Sequence, residues 1–250
     1  MTKIISIANH KGGVGKTTTV ASVGSRLASK GFKVLAVDLD AQANLTTSLL
    51  GDETDRSIYE ALREESGLPK FQISENFWLT PSSLDLAGVE LDLASAMRRE
   101  YILQDLLNEE AKEFDYILID CPPALGLVTI NALVASSDVI IPLTAEALPF
   151  KGLRMITTII ERVQKKLNKS LRLSGIVINR WNSRKLNRAV EEALRERFGQ
   201  LMFDTKIREN ITVAEAPLAN ADIFSYDPGC NGAKDYADLT EEILAKIPAE

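Results

Sequence analysis

The 250-residue chain is predicted to fold as an α/β protein, a mainly parallel sheet with helices on both faces. Three observations predict it. Short, continuously apolar runs recur along the chain, helix-length segments separate them, and the first run leads through a glycine-rich turn straight into a helical pattern. A strand covered on both faces has no polar side to alternate with, so it reads as unbroken Val, Ile and Leu.

The runs place strands at 4–8, 34–37, 116–119, 139–141 and 173–178. Helical periodicity places helices near 16–29, 103–113, 125–135, 152–167, 184–198 and 234–246. Gly31 stands where a glycine ends the first of these. The stretch 51–99 is less regular; it mixes short helical pieces with Phe77-Trp78-Leu79, which suits one more short strand. No repeat, low-complexity tract or linker breaks the pattern, so 1–250 is read as one domain.

Composition narrows the function classes. Hydrophobic residues make up 45% of the chain, enough for one large core. No stretch approaches the roughly 18 uninterrupted apolar residues of a membrane span, and Met1-Thr2-Lys3 runs directly into the first strand without a cleavage site, so a cytoplasmic protein is expected. Two distant cysteines, Cys121 and Cys230, and a single histidine, His10, exclude a Cys/His zinc site and argue against a disulfide framework. The net charge of −6 argues against a uniformly basic nucleic-acid binder. Residues 161–208, however, carry 13 Lys/Arg against 5 Asp/Glu, a local net of +8 that could build one positive face.

The strongest motif is Asn9-His10-Lys11-Gly12-Gly13-Val14-Gly15-Lys16-Thr17-Thr18, set between the first strand and the first helix. Glycines let backbone N–H groups curl around phosphate oxygens, and the helix N-terminus adds positive potential. Lys16 can neutralise β- and γ-phosphate charge, and the Thr17 hydroxyl can ligate Mg²⁺. A glycine turn before a helix is ordinary; strand context, glycine density and a second lysine together are not, and they make the predicted fold the P-loop NTPase type. The pattern is deviant, with His10 where glycine is usual and Lys11 as an added cation. Acids complete the set. The second strand ends at Asp38-Leu39-Asp40 and the third at Asp120, at the carboxyl edge where open α/β sheets bind ligands. Asp120 suits an acid that holds the Mg²⁺ shell through water, and Asp38 or Asp40 can orient an attacking water.

With these segments, Ala41-Gln42-Ala43-Asn44, Asp120-Cys121-Pro122-Pro123-Ala124-Leu125-Gly126, Ala214-Glu215-Ala216-Pro217 and Tyr226-Asp227-Pro228 make the chain resemble the ParA family of partition ATPases. Its small Soj-like members are the nearest in pattern, within a wider class that includes MinD and nitrogenase iron protein, and the resemblance covers nearly the whole chain. It implies ATP and Mg²⁺ as cofactors, held by Gly12, Gly13, Val14, Gly15, Lys16, Thr17 and Thr18, with Asn179 bonding adenine. It implies that Lys11 reaches across an ATP-bound homodimer to the second subunit's phosphates, that Asp40 positions or activates the hydrolytic water, that Asp38 supports the Mg²⁺ shell, and that Asp120 closes the switch behind the γ-phosphate. Glu146 matches a carboxylate that pairs with the signature lysine when nucleotide is absent.

The resemblance further implies nonspecific DNA and a ParB-like centromere-binding protein as partners, a nucleoid-associated location, and no N-terminal DNA-binding extension. Arg184 matches a family DNA contact, with Arg180, Lys185 and Arg188 close by. Two departures stand out. Ala41 and Ala43 replace the usual Pro and Gly, small changes that should leave the fold intact, and Glu209 and Thr212 occupy positions where arginine touches DNA in Soj-like proteins. A MinD-like membrane cycle is the competing expectation, but the 238–250 tail is acidic and lacks a basic amphipathic face. An iron–sulfur carrier would need clustered cysteines, and Cys121 is alone in its neighbourhood. A nucleotide-gated scaffold without turnover remains a further alternative, because hydrolysis depends on fine water placement.

Overall fold

A computed structural model describes residues 1–51, 54–145 and 149–249. The first half runs β1 (Lys3–Ile7), α1 (Lys16–Ser29), β2 (Val34–Asp38), α2 (Asn44–Leu50), α3 (Ile58–Glu64), β3 (Phe71–Ser74), β4 (Phe77–Thr80), α4 (Val89–Asp92), α5 (Ile102–Glu110) and β5 (Tyr116–Asp120). The second half runs α6 (Leu127–Ala135), β6 (Asp138–Thr144), α7 (Pro149–Lys166), β7 (Arg172–Trp181), α8 (Lys185–Phe198), β8 (Met202–Arg208), α9 (Ile211–Glu215), α10 (Ile223–Tyr226) and α11 (Asn231–Lys246). The strands form one sheet in the order β3-β4-β2-β5-β1-β6-β7-β8. Every pairing is parallel except β3 with β4.

The central strands are apolar throughout because both faces are covered. Successive side chains point to opposite sides, so Leu35 and Val37 join Ile117 and Ile119 on one face, packed with Leu103, Leu107, Leu133 and Ile156 from α5, α6 and α7. Val34 and Ala36 join Ile5, Ile7 and Leu118 on the other, under Val20, Val23 and Leu27 of α1 and Tyr236, Leu239 and Ile243 of α11. Burial on this scale is the main stabilising contribution.

The sheet matches the expected mainly parallel architecture, and α1 spans the residues expected of it. Two strands were not expected. β3 and β8 are edge strands whose side chains are partly exposed and partly polar, so they lack the unbroken apolar signal. α2, with only 7 residues, also escaped the periodicity, whereas α3 is one of the short helical pieces expected within 51–99. Among the described residues, no helix is long and apolar enough to cross a membrane.

Candidate nucleotide site and basic surface

The glycine-rich loop leaves β1 at the centre of the sheet and enters α1 through Gly15, whose φ of 88° is left-handed. A side chain there would be strained, and its Cβ would also clash with the Asn179 amide nitrogen. No side chain caps α1, which leaves its first-turn N–H groups to an anion. The loop is held from two sides. Asn9 donates to the Pro142 carbonyl at 2.7 Å and accepts from the Lys11 N–H at 3.1 Å, while Asn179 donates to the Val14 carbonyl at 2.7 Å. Lys16 is buried and turned into the loop, its ammonium 3.4 Å from the Lys11 carbonyl. Lys11 itself is exposed, as are Gly12 and Gly13.

The carboxylates converge because β2, β5 and β1 are neighbours. Asp38 and Asp120 are register partners, and Asp120 pairs with Ile7 on its other side. Thr17 donates to Asp120 Oδ2 at 2.6 Å. Asp38 is committed to the protein: Oδ1 accepts from the Asp40 N–H at 3.1 Å, and Oδ2 accepts from the Thr46 N–H at 2.9 Å and hydroxyl at 2.8 Å. It therefore orients the turn that carries Asp40. Asp40 is half-buried and accepts from the Gln42 N–H. Burial is the largest influence on both buried acids: Asp38 is pushed up to about 6, and Asp120, further raised by the Asp38 charge, lies well above the usual carboxylate range.

These residues fit a Mg²⁺–nucleotide. Asp120 Oδ1 and Asn179 Oδ1 are buried without hydrogen-bond partners among the described residues, one beside Thr17 and one against the loop. A buried acceptor is costly unless a ligand or water satisfies it. A cation between Thr17 and Asp120 would also relieve the carboxylate's unfavourable burial. Glu146 lies outside the described residues. Neighbouring Cys121 is buried with its thiol pushed up to about 12 by burial, which makes it inert as a nucleophile.

The cationic segment divides. Arg172 pairs with Asp138, Arg195 with Glu191 and Asp204, Lys206 with Glu191, and Arg208 with Asp235. Those pairs tie β7 to β6, α8 to β8, and β8 to α11. Arg184, Lys185 and Arg188 are exposed around the start of α8 with no ion pair among the described residues. Arg180 stands 3.7 Å from Glu209, which also accepts from Asn182 at 3.3 Å. Glu209 thus sits inside the predicted basic cluster. Sequence reasoning missed Thr46, Asn9 and Asn187, whose roles depend on partners 8, 133 and 42 residues away.

A glycine-rich loop between a central parallel strand and a helix, with strand-end acids beside it, defines a P-loop nucleotide-binding protein of the deviant two-lysine kind. A model of the AAA domain family matches residues 2–173. The chain is 39% identical to the sporulation initiation inhibitor protein Soj of Bacillus subtilis (strain 168), over 98% of this chain and 99% of that one. It is 35% identical to the chromosome partitioning protein ParA of Caulobacter vibrioides, over 98% and 94%. Among solved structures, cobyrinic acid a,c-diamide synthase from Mycobacterium smegmatis with bound ATP analog and magnesium superposes with a TM-score of 0.87 at 33% identity, covering 100% of each chain. The chain belongs to the ParA/Soj family of partition ATPases.

Proposed function

We propose that this protein hydrolyses ATP with Mg²⁺, forms a sandwich homodimer when ATP-bound, holds nonspecific DNA in that state, and segregates a plasmid or chromosome together with a DNA-bound, ParB-like centromere-binding partner. Such a protein works in the cytoplasm, associated with the nucleoid. The observation that carries the reading is the loop with two lysines. Lys16 is turned into the loop, its ammonium 3.4 Å from the Lys11 carbonyl, and exposed Lys11 presents a second cation at the mouth of the same loop. Family likeness supports assigning Lys11 to the phosphates of a facing subunit.

In this reading Gly12, Gly13, Val14, Gly15, Lys16, Thr17 and Thr18 cradle the phosphates, and Asn179 uses its unpartnered Oδ1 to accept from adenine. Thr17 holds Mg²⁺ directly and Asp120 accepts from the ion's water shell; the ion supplies charge neutralisation at the phosphates. Asp40, fixed through Asp38, orients the attacking water. Arg184, with Arg180, Lys185 and Arg188, contacts DNA phosphates, which gives salt-sensitive binding without base readout.

The membrane-cycling alternative is disfavoured by α11, because Leu239 and Ile243 are buried against the sheet and cannot enter a lipid surface. The deciding experiment measures binding to random-sequence duplex DNA with ADP, ATP and a nonhydrolysable ATP analogue, alongside phosphate release. Binding is expected with ATP and the analogue and to be weak with ADP. DNA binding absent in every nucleotide state at low salt would rule the partition reading out, and absent phosphate release would favour a non-hydrolysing scaffold.

A further inference from the structure

Asn187 lies in the first turn of α8 between exposed Leu186 and Arg188, yet it is only 8% exposed. Its amide nitrogen donates to the Ala145 carbonyl at 3.2 Å, and its Oδ1 accepts from the Asn182 N–H at 3.2 Å. One side chain therefore joins the carboxyl end of β6 to the turn between β7 and α8. That turn carries the basic surface: Asn182 Oδ1 accepts from the Arg184 N–H at 3.3 Å, and the Asn182 amide nitrogen donates to Glu209. A leucine would fill the same space, so a buried amide with both ends engaged signals a positional requirement.

The β6 end of this bridge adjoins the phosphate loop. Ala145 follows Thr144, whose register partner on β7 is Asn179, and Asn179 donates to the Val14 carbonyl within the loop. An unbroken chain of bonded groups thus runs from Val14 through Asn179 and the β6–β7 pairing to Ala145, Asn187, Asn182 and Arg184. Two of its members, Thr144 Oγ1 and Asn179 Oδ1, are buried with no hydrogen-bond partner among the described residues. A ligand that satisfies either group lowers the energy of one arrangement of this junction relative to another, which is the differential contact any relay needs.

We infer that Asn187 is a positioning residue that transmits the nucleotide state of the phosphate loop to the Arg184 turn. The inference deepens the partition reading, since the turn's use is taken from it, but the relay can be read without DNA. Asn187→Asp separates the two bonds. A carboxylate keeps an acceptor for the Asn182 N–H and suits a helix N-terminus, whereas it has no donor for the Ala145 carbonyl.

The experiment is amide hydrogen exchange of parent and Asn187→Asp, nucleotide-free and with a nonhydrolysable ATP analogue, paired with DNA affinity as a ratio between analogue and ADP states. In the parent, the analogue is expected to change exchange at 182–184 as well as in the loop at 11–18. In Asn187→Asp the loop response and analogue affinity persist within about twofold, and the response at 182–184 disappears. The analogue-to-ADP ratio of DNA affinities then collapses toward one. An undiminished response at 182–184 in the variant would overturn the relay, as would a parent in which nucleotide changes the loop alone. If neither protein binds DNA but the exchange result holds, the relay stands and the DNA assignment falls. Asn187→Ala serves as the folding control, expected to raise exchange at 182–184 even without nucleotide.

Discussion

Asp38 and Asp120 stand side by side as register partners on β2 and β5, both buried at the carboxyl edge of the sheet. Each holds its proton more tightly when folded than when unfolded, chiefly through burial. The stability this confers is fully present below an ordinary aspartate value of about 4 and is lost as pH rises through the folded value, about 6 for Asp38. The nucleotide-free protein should therefore lose stability from this pair across about pH 4 to 6 and above. Asp120→Asn keeps an acceptor for Thr17 and removes the buried charge. It should flatten that fall and be more stable than the parent at pH 7.5 by on the order of 2 kcal/mol, while losing Mg²⁺-dependent ATP affinity. Urea unfolding at stepped pH checks this, and superimposable profiles for the two proteins would refute it.

Lys16→Ala should weaken ATP binding by about 3 kcal/mol, near a hundredfold, because the buried ammonium is the charge directed into the loop. Asp40→Ala should behave oppositely, retaining ATP affinity while phosphate release falls and dimer accumulates. Gel filtration of Asp40→Ala under saturating ATP that shows only monomer would count against the water-orienting role.

Lys11→Ala is expected to separate binding from assembly. Single-subunit ATP affinity should stay within a few-fold of the parent, and ATP-dependent doubling of mass in light scattering should vanish. Dimer formation at parental ATP concentrations would remove Lys11 from the interface.

Glu209 lies 3.7 Å from Arg180, so it offsets part of the basic surface. Glu209→Arg should strengthen DNA binding at low salt, about tenfold, and steepen its salt dependence by adding a phosphate contact. Arg184→Glu should abolish DNA binding and leave basal ATPase activity intact. Fluorescence anisotropy from 50 to 300 mM salt tests both, and parental binding by Arg184→Glu would displace the assigned surface.

Ala43 adopts φ 51°, the left-handed conformation that favours glycine. The fold accommodates the alanine, but at a backbone cost. Ala43→Gly should therefore raise stability by about 1 kcal/mol, or ~2–4 °C in Tm for a chain of this size. An unchanged or lower Tm would show that relaxation elsewhere has removed the strain.

The phosphate loop, the central strands and the three strand-end aspartates were legible in the sequence because their signals are local. The phosphate-loop glycines fall within residues 12–15, and each strand-end acid lies within three residues of the end of its own apolar run. The edge strands β3 and β8 were not legible, since a half-exposed strand tolerates polar side chains and loses its apolar mark. Nor could the +8 segment be sorted from composition. Arg172, Arg195, Lys206 and Arg208 find carboxylates on neighbouring elements, whereas Arg184, Lys185 and Arg188 find none among the described residues, and only the packing of β6, β7, α8, β8 and α11 decides which is which. The same holds for the commitment of Asp38 to Thr46 and of Asn187 to Ala145. A side chain's chemistry is written in the sequence, but the partner that satisfies a buried polar group is chosen by which strands lie adjacent, a property of the folded sheet alone.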